Sequence, residues 1–256
     1  MGAMSEVLKV HAAHRLKEPF VVYRAADFLV LSKPAGMLST GVDTSETLLD
    51  AAHRLDPEAV QLHATSRLDR QVSGLVTFAR TDRGNRHLLL ERAQGRYERR
   101  YLGLVLRSDA EIARHGRWTW PIGIDPNRPK QRRTWQEGEA PLPGLKPAET
   151  GYQIRATHAS LSVLLLTPHT GRTHQLRLHA AAAGMPLLGD VPYGGKRDVV
   201  LCDGRVVGAA RVMLHCMRIS FTLNDGRDLV LSLGIPDDMQ EIWRSTGGEP
   251  LTANLD

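Results

Sequence analysis

Short apolar runs, joined in pairs by tight turns and broken up by single helical segments, restrict the folds open to this chain more than any other feature. Thr150–Arg155 and Leu161–Thr167 are close enough to form a hairpin. Met213–Leu223 and Leu229–Leu233 form another around Asn224-Asp225-Gly226-Arg227. Phe28–Ser32 and Gly74–Ala79 read as buried strands, the first ended by the turn signal Lys33-Pro34-Ala35-Gly36, and Arg99–Leu106 returns to strand. Helical patterns cover Ser45–Leu55, Thr81–Ala93 (capped by Thr81 or Asp82) and Asp237–Trp243. Thr173–Ala183 is a further helix, with Leu176, Ala180 and Ala183 facing inward and Gly184 at its C-terminal cap. Asp125–Pro147, rich in proline, glycine and charge, reads as a long surface connection or irregular insertion. Regular strand–helix–strand alternation is absent. The pattern predicts an α+β fold with a mixed, mostly antiparallel central sheet flanked by helices and loops.

A chain of 256 residues can bury a core without disulfides or metals. Neither a repeat nor a flexible linker divides it, so residues 21–246 are expected to form one unit, after an N-terminal extension (1–20) and before a C-terminal tail (247–256). The opening Met-Gly-Ala-Met has the look of a cloning remnant ahead of Met4. No apolar run approaches the roughly 18 residues of a membrane span, and a signal-peptide pattern is missing. Cys202 and Cys216, in no CxxC arrangement, fit a reducing compartment, so the expectation is a cytoplasmic protein with no membrane association. The net charge is +5, and between Arg80 and Arg133 fourteen Lys or Arg face six Asp or Glu. Arg96, Arg99 and Arg100 form one cluster; Arg128, Lys130, Arg132 and Arg133 form another. Such a field suits a polyanion, although a solvated face carries similar charge.

Two segments combine polar density with a strand or helix. In Ser66-Arg67-Leu68-Asp69-Arg70-Gln71-Val72-Ser73-Gly74-Leu75 a carboxylate lies between guanidinium groups, in a loop running into a buried strand. Opposite charge keeps such a group ionised; the plainer alternative is an ion pair that fastens the loop. Thr170-Gly171-Arg172-Thr173-His174-Gln175-Leu176-Arg177-Leu178-His179 opens a helix with a glycine turn. Residues 173 and 177 would share a face, aiming Arg177 at the helix start, where free N–H groups suit a phosphate. Here the alternative is a solvated helix with an ordinary polar side. Gly194-Gly195-Lys196-Arg197 lacks the spacing of a phosphate loop, the histidines form no HExxH, and no metal site is expected.

Together these segments make the chain resemble the RluA-type family of RNA pseudouridine synthases. The carriers are FLVLSKPAGML (Phe28–Leu38), SRLDRQVSGL (Ser66–Leu75), RRYLGLV (Arg99–Val105) and TGRTHQLRLH (Thr170–His179). GMPLLGD (Gly184–Asp190) with Tyr193-Gly194 follows, then LHCMRISF (Leu214–Phe221). Ser66, Val72 and Arg99 replace the family's usual His, Thr and Lys. The family often carries a small N-terminal RNA-binding domain, for which the twenty or so residues before Val21 are too few. His53-Arg54-Leu55-Asp56 spells the signature tetrapeptide more faithfully, but it ends a helix ahead of Pro57 and enters no buried strand, so Asp56 is expected to be structural.

The resemblance implies a pseudouridine synthase fold over 21–246 and cofactor-free isomerisation of uridines in structured ribosomal or transfer RNA by base flipping. It implies Asp69 as the central carboxylate, Tyr101 beneath the uracil, Arg177 paired with Asp69, and Arg67 filling the vacated stack. Arg70, Arg96, Arg99, Arg100, Arg172, His174 and Gln175 are the further RNA-binding candidates. RNA is the expected partner of a monomer with no obligate protein partner. A non-catalytic RNA-binding or RNA-folding protein on the same fold is the competing reading; the intact Asp69, Tyr101 and Arg177 argue against it. A metal-dependent hydrolase lacks a second carboxylate cluster.

Overall fold

The computed structural model describes residues 7–12, 18–42, 45–107, 112–201 and 203–252. In chain order the elements begin with β1 (Val7–Ala12), β2 (Phe20–Arg24), β3 (Phe28–Lys33), α1 (Leu48–Leu55), β4 (His63–Ala64), β5 (Ser73–Ala79) and α2 (Asp82–Ala93). Next come β6 (Glu98–Leu106), β7 (His115–Trp118), β8 (Ile122–Asp125), β9 (Arg128–Thr134), β10 (Thr150–His158), β11 (Leu161–Pro168) and α3 (Gln175–Ala182). A 3₁₀ turn at Val191–Tyr193 precedes β12 (Asp198–Val200), β13 (Val206–Gly208), β14 (Leu214–Thr222), β15 (Asp228–Leu233) and α4 (Asp237–Ser245). The expected α+β class on mixed, mostly antiparallel strands is what is seen. No helix among the described residues is long and apolar enough to cross a membrane.

The chain divides into two compact units, both contained largely in the stretch 21–246. The first runs to Arg99 and regains the chain at His215–Asp237. Its β3 and β5 are buried along their whole length, with β2 antiparallel to β3 and β3 antiparallel to β5. Buried on both faces, these two strands read as unbroken apolar runs rather than alternating ones. β14 joins β5 in parallel through His215↔Ser73 and Cys216↔Gly74, and β15 turns back antiparallel onto β14. β1, inside the stretch read as an extension, adds a parallel strand to β15.

Close approach explains one residue of the signature. A Cβ on Gly74, whose φ is +127°, would lie 2.4 Å from the Cys216 carbonyl oxygen. Only glycine fits there. Cys216 is buried and outside any disulfide among the described residues, and Cys202 lies outside the described residues. α1 starts at Leu48, three residues later than its sequence pattern, because a capping box fixes the boundary. Thr47 accepts from the Asp50 N–H, and the Asp50 carboxylate accepts from the Thr47 N–H. α2 is capped by Thr81, which accepts from the Gly84 N–H.

The second unit comprises Arg100–Leu214 and Asp238–Leu251. Here β6, β11, β10 and β7 pair antiparallel in that order. The region expected to be an irregular connection begins instead as an antiparallel hairpin, with Ile122↔Thr134, Gly123↔Arg133 and Ile124↔Arg132 in register. The Asp125 carboxylate turns it by accepting the Asn127 N–H at 3.0 Å. β9 reads Arg-Pro-Lys-Gln-Arg-Arg-Thr, with no apolar alternation to reveal it; its support comes from the β8 ladder. Ile122 then packs with Ala148, Leu178 of α3 and Tyr193.

Candidate active site

In the first unit Asp69 occupies a turn whose flanks are both tied down. On one side the Leu68 N–H donates to Ser39 Oγ at 3.0 Å, and that hydroxyl donates back to the Leu68 carbonyl at 3.0 Å. On the other side the Arg70 carbonyl accepts the Gly36 N–H at 2.7 Å, and Arg70 Nε donates to the Gly36 carbonyl at 2.9 Å. The turn itself closes through the Val72 N–H onto the Asp69 carbonyl at 3.0 Å. Upstream, Ser66 Oγ accepts the Thr77 N–H of β5 at 2.9 Å, so the serine in the family's histidine position serves as a pin. Val72, the second departure, is core.

The segment 33–39 that does the clamping is organised by a lysine with 0% exposure. Lys33 Nζ donates to the carbonyls of Pro34 at 2.9 Å, Met37 at 2.7 Å and Arg70 at 3.3 Å. A neutral amine has two N–H groups; the protonated ammonium has the three this geometry uses. The loop is therefore fastened on both sides of Asp69 by Ser39, Gly36 and Lys33. Asp69 is left half-buried on a rigid turn. Arg67 is exposed and makes no hydrogen bond or ion pair among the described residues.

Asp56 sits elsewhere and has a different role. It ends α1, is fully buried, and lies 2.6 Å from Arg80 Nε and 3.5 Å from Arg24 Nε. Arg96 also has an acidic partner. Its guanidinium grips the buried Glu91 carboxylate while the side chain stays exposed. Burial pushes the Glu91 carboxyl up, but Arg96 and the Thr222 N–H outweigh it and hold it below the ordinary range.

In the second unit Tyr101 lies near the start of β6, opposite Leu166, and is 4% exposed. Arg99 and Arg100, just before it, are half-buried. α3 is no solvated helix: Gln175, Leu176, Arg177, Leu178, His179 and Ala180 are all buried. It begins at Gln175 because His174 adopts the left-handed conformation, φ +57°. Thr173 consequently stands outside the helix and shares no face with Arg177, and the Gln175 N–H is already taken by the Arg172 carbonyl at 3.1 Å. Ala183, expected inward, is the C-terminal cap and half-buried.

Each polar residue of this helix has a partner. Gln175 Oε1 accepts from Thr170 Oγ1 at 2.7 Å and the Arg172 N–H at 3.0 Å, while Nε2 donates to the Glu149 carbonyl at 2.9 Å and Thr150 Oγ1 at 3.0 Å. Arg172 Nε donates to the Pro147 carbonyl at 2.8 Å. His179 Nε2 lies 2.9 Å from the Trp120 carbonyl and must donate; Nδ1, 2.9 Å from Thr150 Oγ1, then accepts that hydroxyl. Burial lowers the His179 pKa and so maintains the neutral form this arrangement needs.

Arg177 is held from outside the helix. Nε and Nη2 donate to the two oxygens of Asp190 at 2.8 and 2.7 Å, a bidentate pair with both partners buried. The sequence motif contained Asp190, yet nothing in its pattern linked it to Arg177 thirteen positions earlier. Gly189 is the local clue: its φ is +83°, and a Cβ would come within 1.9 Å of the Arg211 carbonyl oxygen.

Residues 27–182 match the family described as RNA pseudouridylate synthase. Over 210 residues the chain is 31% identical to the dual-specificity RNA pseudouridine synthase RluA of Escherichia coli K12, covering 80% of this chain and 89% of that protein. It is 28% identical over 236 residues to ribosomal large subunit pseudouridine synthase D of Nitrosomonas europaea, covering 90% of this chain and 66% of the relative. The fold matches human RNA Pseudouridylate Synthase Domain Containing 1 with a TM-score of 0.69 and 23% identity, over 93% of this chain and 91% of that one.

Proposed function

Because the chain belongs to the RNA pseudouridylate synthase family, we propose that it isomerises particular uridines of a structured ribosomal or transfer RNA, with Asp69 as the reacting carboxylate. The observation that carries this reading is the clamped turn: Ser39, Gly36 and Lys33 fix the backbone on both sides of Asp69. The reaction breaks the bond from the ribose anomeric carbon to N1, turns the base, and rejoins at C5. The C5 proton leaves and N1 gains one, so the product is an isomer and no redox equivalent is consumed. Tyr101 is assigned to the face of the uracil, and Arg177 is assigned to the charge of Asp69. The protein acts as a cytoplasmic monomer. Tritium release from RNA labelled at C5 of uracil, with and without EDTA, tests the reading. Release that persists in EDTA is expected, and RNA bound without release would reduce the protein to a binder.

Arg67 is assigned to the space left by the flipped uridine, a reading supported by its exposure and lack of partners among the described residues. In a structured stem, Arg67→Ala should slow single-turnover isomerisation by much of the few kcal/mol that flipping demands. In a flexible strand there is little stacking to replace, so the loss should be small. Arg67→Lys should resemble Ala, because an ammonium lacks the planar surface. Equal losses on matched structured and unstructured RNAs would assign Arg67 to a phosphate instead.

The hairpin of β8 and β9 supplies further cations for phosphate. Arg128 and Lys130 are exposed and have no ion-pair partner among the described residues. Affinity for RNA should fall with salt through counterion release. Replacing both residues with Gln should reduce the slope of log affinity against log salt by about 1 for each phosphate that the side chain had neutralised. An unchanged slope would place the hairpin away from the RNA.

A further inference from the structure

The carboxylate of Asp190 grips one edge of Arg177, but a second group meets its face. The Tyr193 ring lies under the Arg177 guanidinium, with Cζ 4.8 Å from the ring centroid. The Tyr193 hydroxyl is 2.7 Å from His174 Nδ1, and the two rings meet edge to face, 5.6 Å apart. His174 is the residue in the left-handed conformation that starts α3. From this arrangement we infer that Tyr193 is a positioning residue for the isomerisation: it fixes the plane of the Arg177 guanidinium and anchors it to the strained start of α3. The inference rests on the synthase reading and on the role given there to Arg177.

The chemistry of the ring separates this role from Asp190's. Two parallel N–H···O bonds fix the guanidinium within its own plane but leave a hinge about the line of the carboxylate. An aromatic face beneath the plane removes that hinge, because the cation is attracted to the ring's negative face. The ring needs its own restraint, which the hydroxyl supplies. If Nδ1 of His174 is unprotonated it accepts the phenol proton; if it is protonated it donates to the phenol oxygen. The hydrogen bond survives either way.

The segment's backbone is built for this arrangement. Asp190 and Tyr193 are the ends of one tight turn, closed by the Tyr193 N–H on the Asp190 carbonyl at 3.0 Å. Gly194 follows at φ +87°, and the Gly195 N–H returns to the same Asp190 carbonyl at 2.9 Å. The carboxylate at the edge and the ring at the face therefore move as one piece. Tyr193 also packs on Ile122, Ala148 and Leu178, which ties the piece to the helix. A tyrosine serving only as packing has no need of a hydroxyl on a strained histidine or of a guanidinium across its face.

The test is single-turnover tritium release from labelled RNA, together with RNA affinity and thermal midpoint, for wild type, Tyr193→Phe and Tyr193→Leu. Tyr193→Phe keeps the ring and loses its tether. Its rate should fall about fivefold, the worth of one ordinary hydrogen bond, with affinity and midpoint near wild type. Tyr193→Leu keeps apolar bulk and loses the aromatic face. Its rate should fall about thirtyfold or more, as for a desolvated cation–π pair, again with the loss in rate rather than affinity. Partial recovery in Tyr193→Trp, which restores a ring, would support a face-on role. Full rates in folded Tyr193→Leu would overturn the proposal while leaving the synthase reading intact, as would losses confined to affinity or matched by the thermal midpoint alone. No release from wild-type protein would overturn the synthase reading, and this inference with it.

Discussion

Asp69→Asn is expected to lower tritium release by about 10⁴-fold, the upper range for removing one acid–base or nucleophilic group, while RNA binding persists or tightens. The chemistry needs an ionised carboxylate, and the amide has the same shape without the charge. Binding should survive because the substitution removes a negative charge facing a polyanion. The turn should survive because Ser39, Gly36 and Lys33 hold Leu68 and Arg70 whatever stands between them. Asp56→Asn is the informative partner. Asp56 is fully buried against Arg80, so the change should cost about 3 kcal/mol of stability, as when one member of a buried ion pair is removed. Rates per folded molecule should stay near wild type. Undiminished turnover in Asp69→Asn would remove the carboxylate from the mechanism. Inactive but fully stable Asp56→Asn would move the chemistry to the other tetrapeptide.

The second large effect is expected at Asp190. Replacing it with Ala leaves the Arg177 guanidinium buried without its bidentate carboxylate. The loss should be about 3–5 kcal/mol, which lowers the thermal midpoint by about 10 °C in a protein of this size. The rate should fall as well, because the guanidinium would no longer be aimed. Combining Asp190→Leu with Arg177→Met separates the two effects. An apolar pair of similar volume should recover much of the stability, because no buried charge is stranded. It should not recover the rate. If the double variant were both stable and fast, Arg177 would belong to the scaffold alone.

The apolar strands were legible because their burial is complete: β3 and β5 have no exposed face to interrupt the run. The Asp69 loop was legible because a glycine that cannot carry a Cβ, Gly74, stands at its entry to β5. β9 was hidden, since four basic residues in seven give no alternation and its strand state is imposed by β8. The start of α3 was hidden for a different reason. Thr173 and His174 are acceptable helix residues, and nothing local in the sequence marks the positive φ that His174 adopts beside Tyr193. The partners of charged groups were least visible of all. Arg96 lies five positions from Glu91 and Arg177 thirteen from Asp190, and neither spacing marks an ion pair in sequence. Charge density alone marks Arg96 as a polyanion contact, and its pairing with the buried Glu91 was invisible in it.

The buried ammonium of Lys33 bears on how readily the enzyme can act on a substrate it has just met. Its three carbonyl bonds form when the chain folds, before any RNA arrives. The Asp69 turn is thus already ordered in the free protein, and the entropy of ordering it is not subtracted from affinity. A turn that visited its working shape only a tenth of the time would weaken apparent binding by about tenfold. Surface cations are screened by salt, whereas a fully buried ammonium is screened much less. Raising ionic strength should therefore empty the enzyme of RNA without dismantling the Asp69 turn, so capture and readiness respond to different conditions.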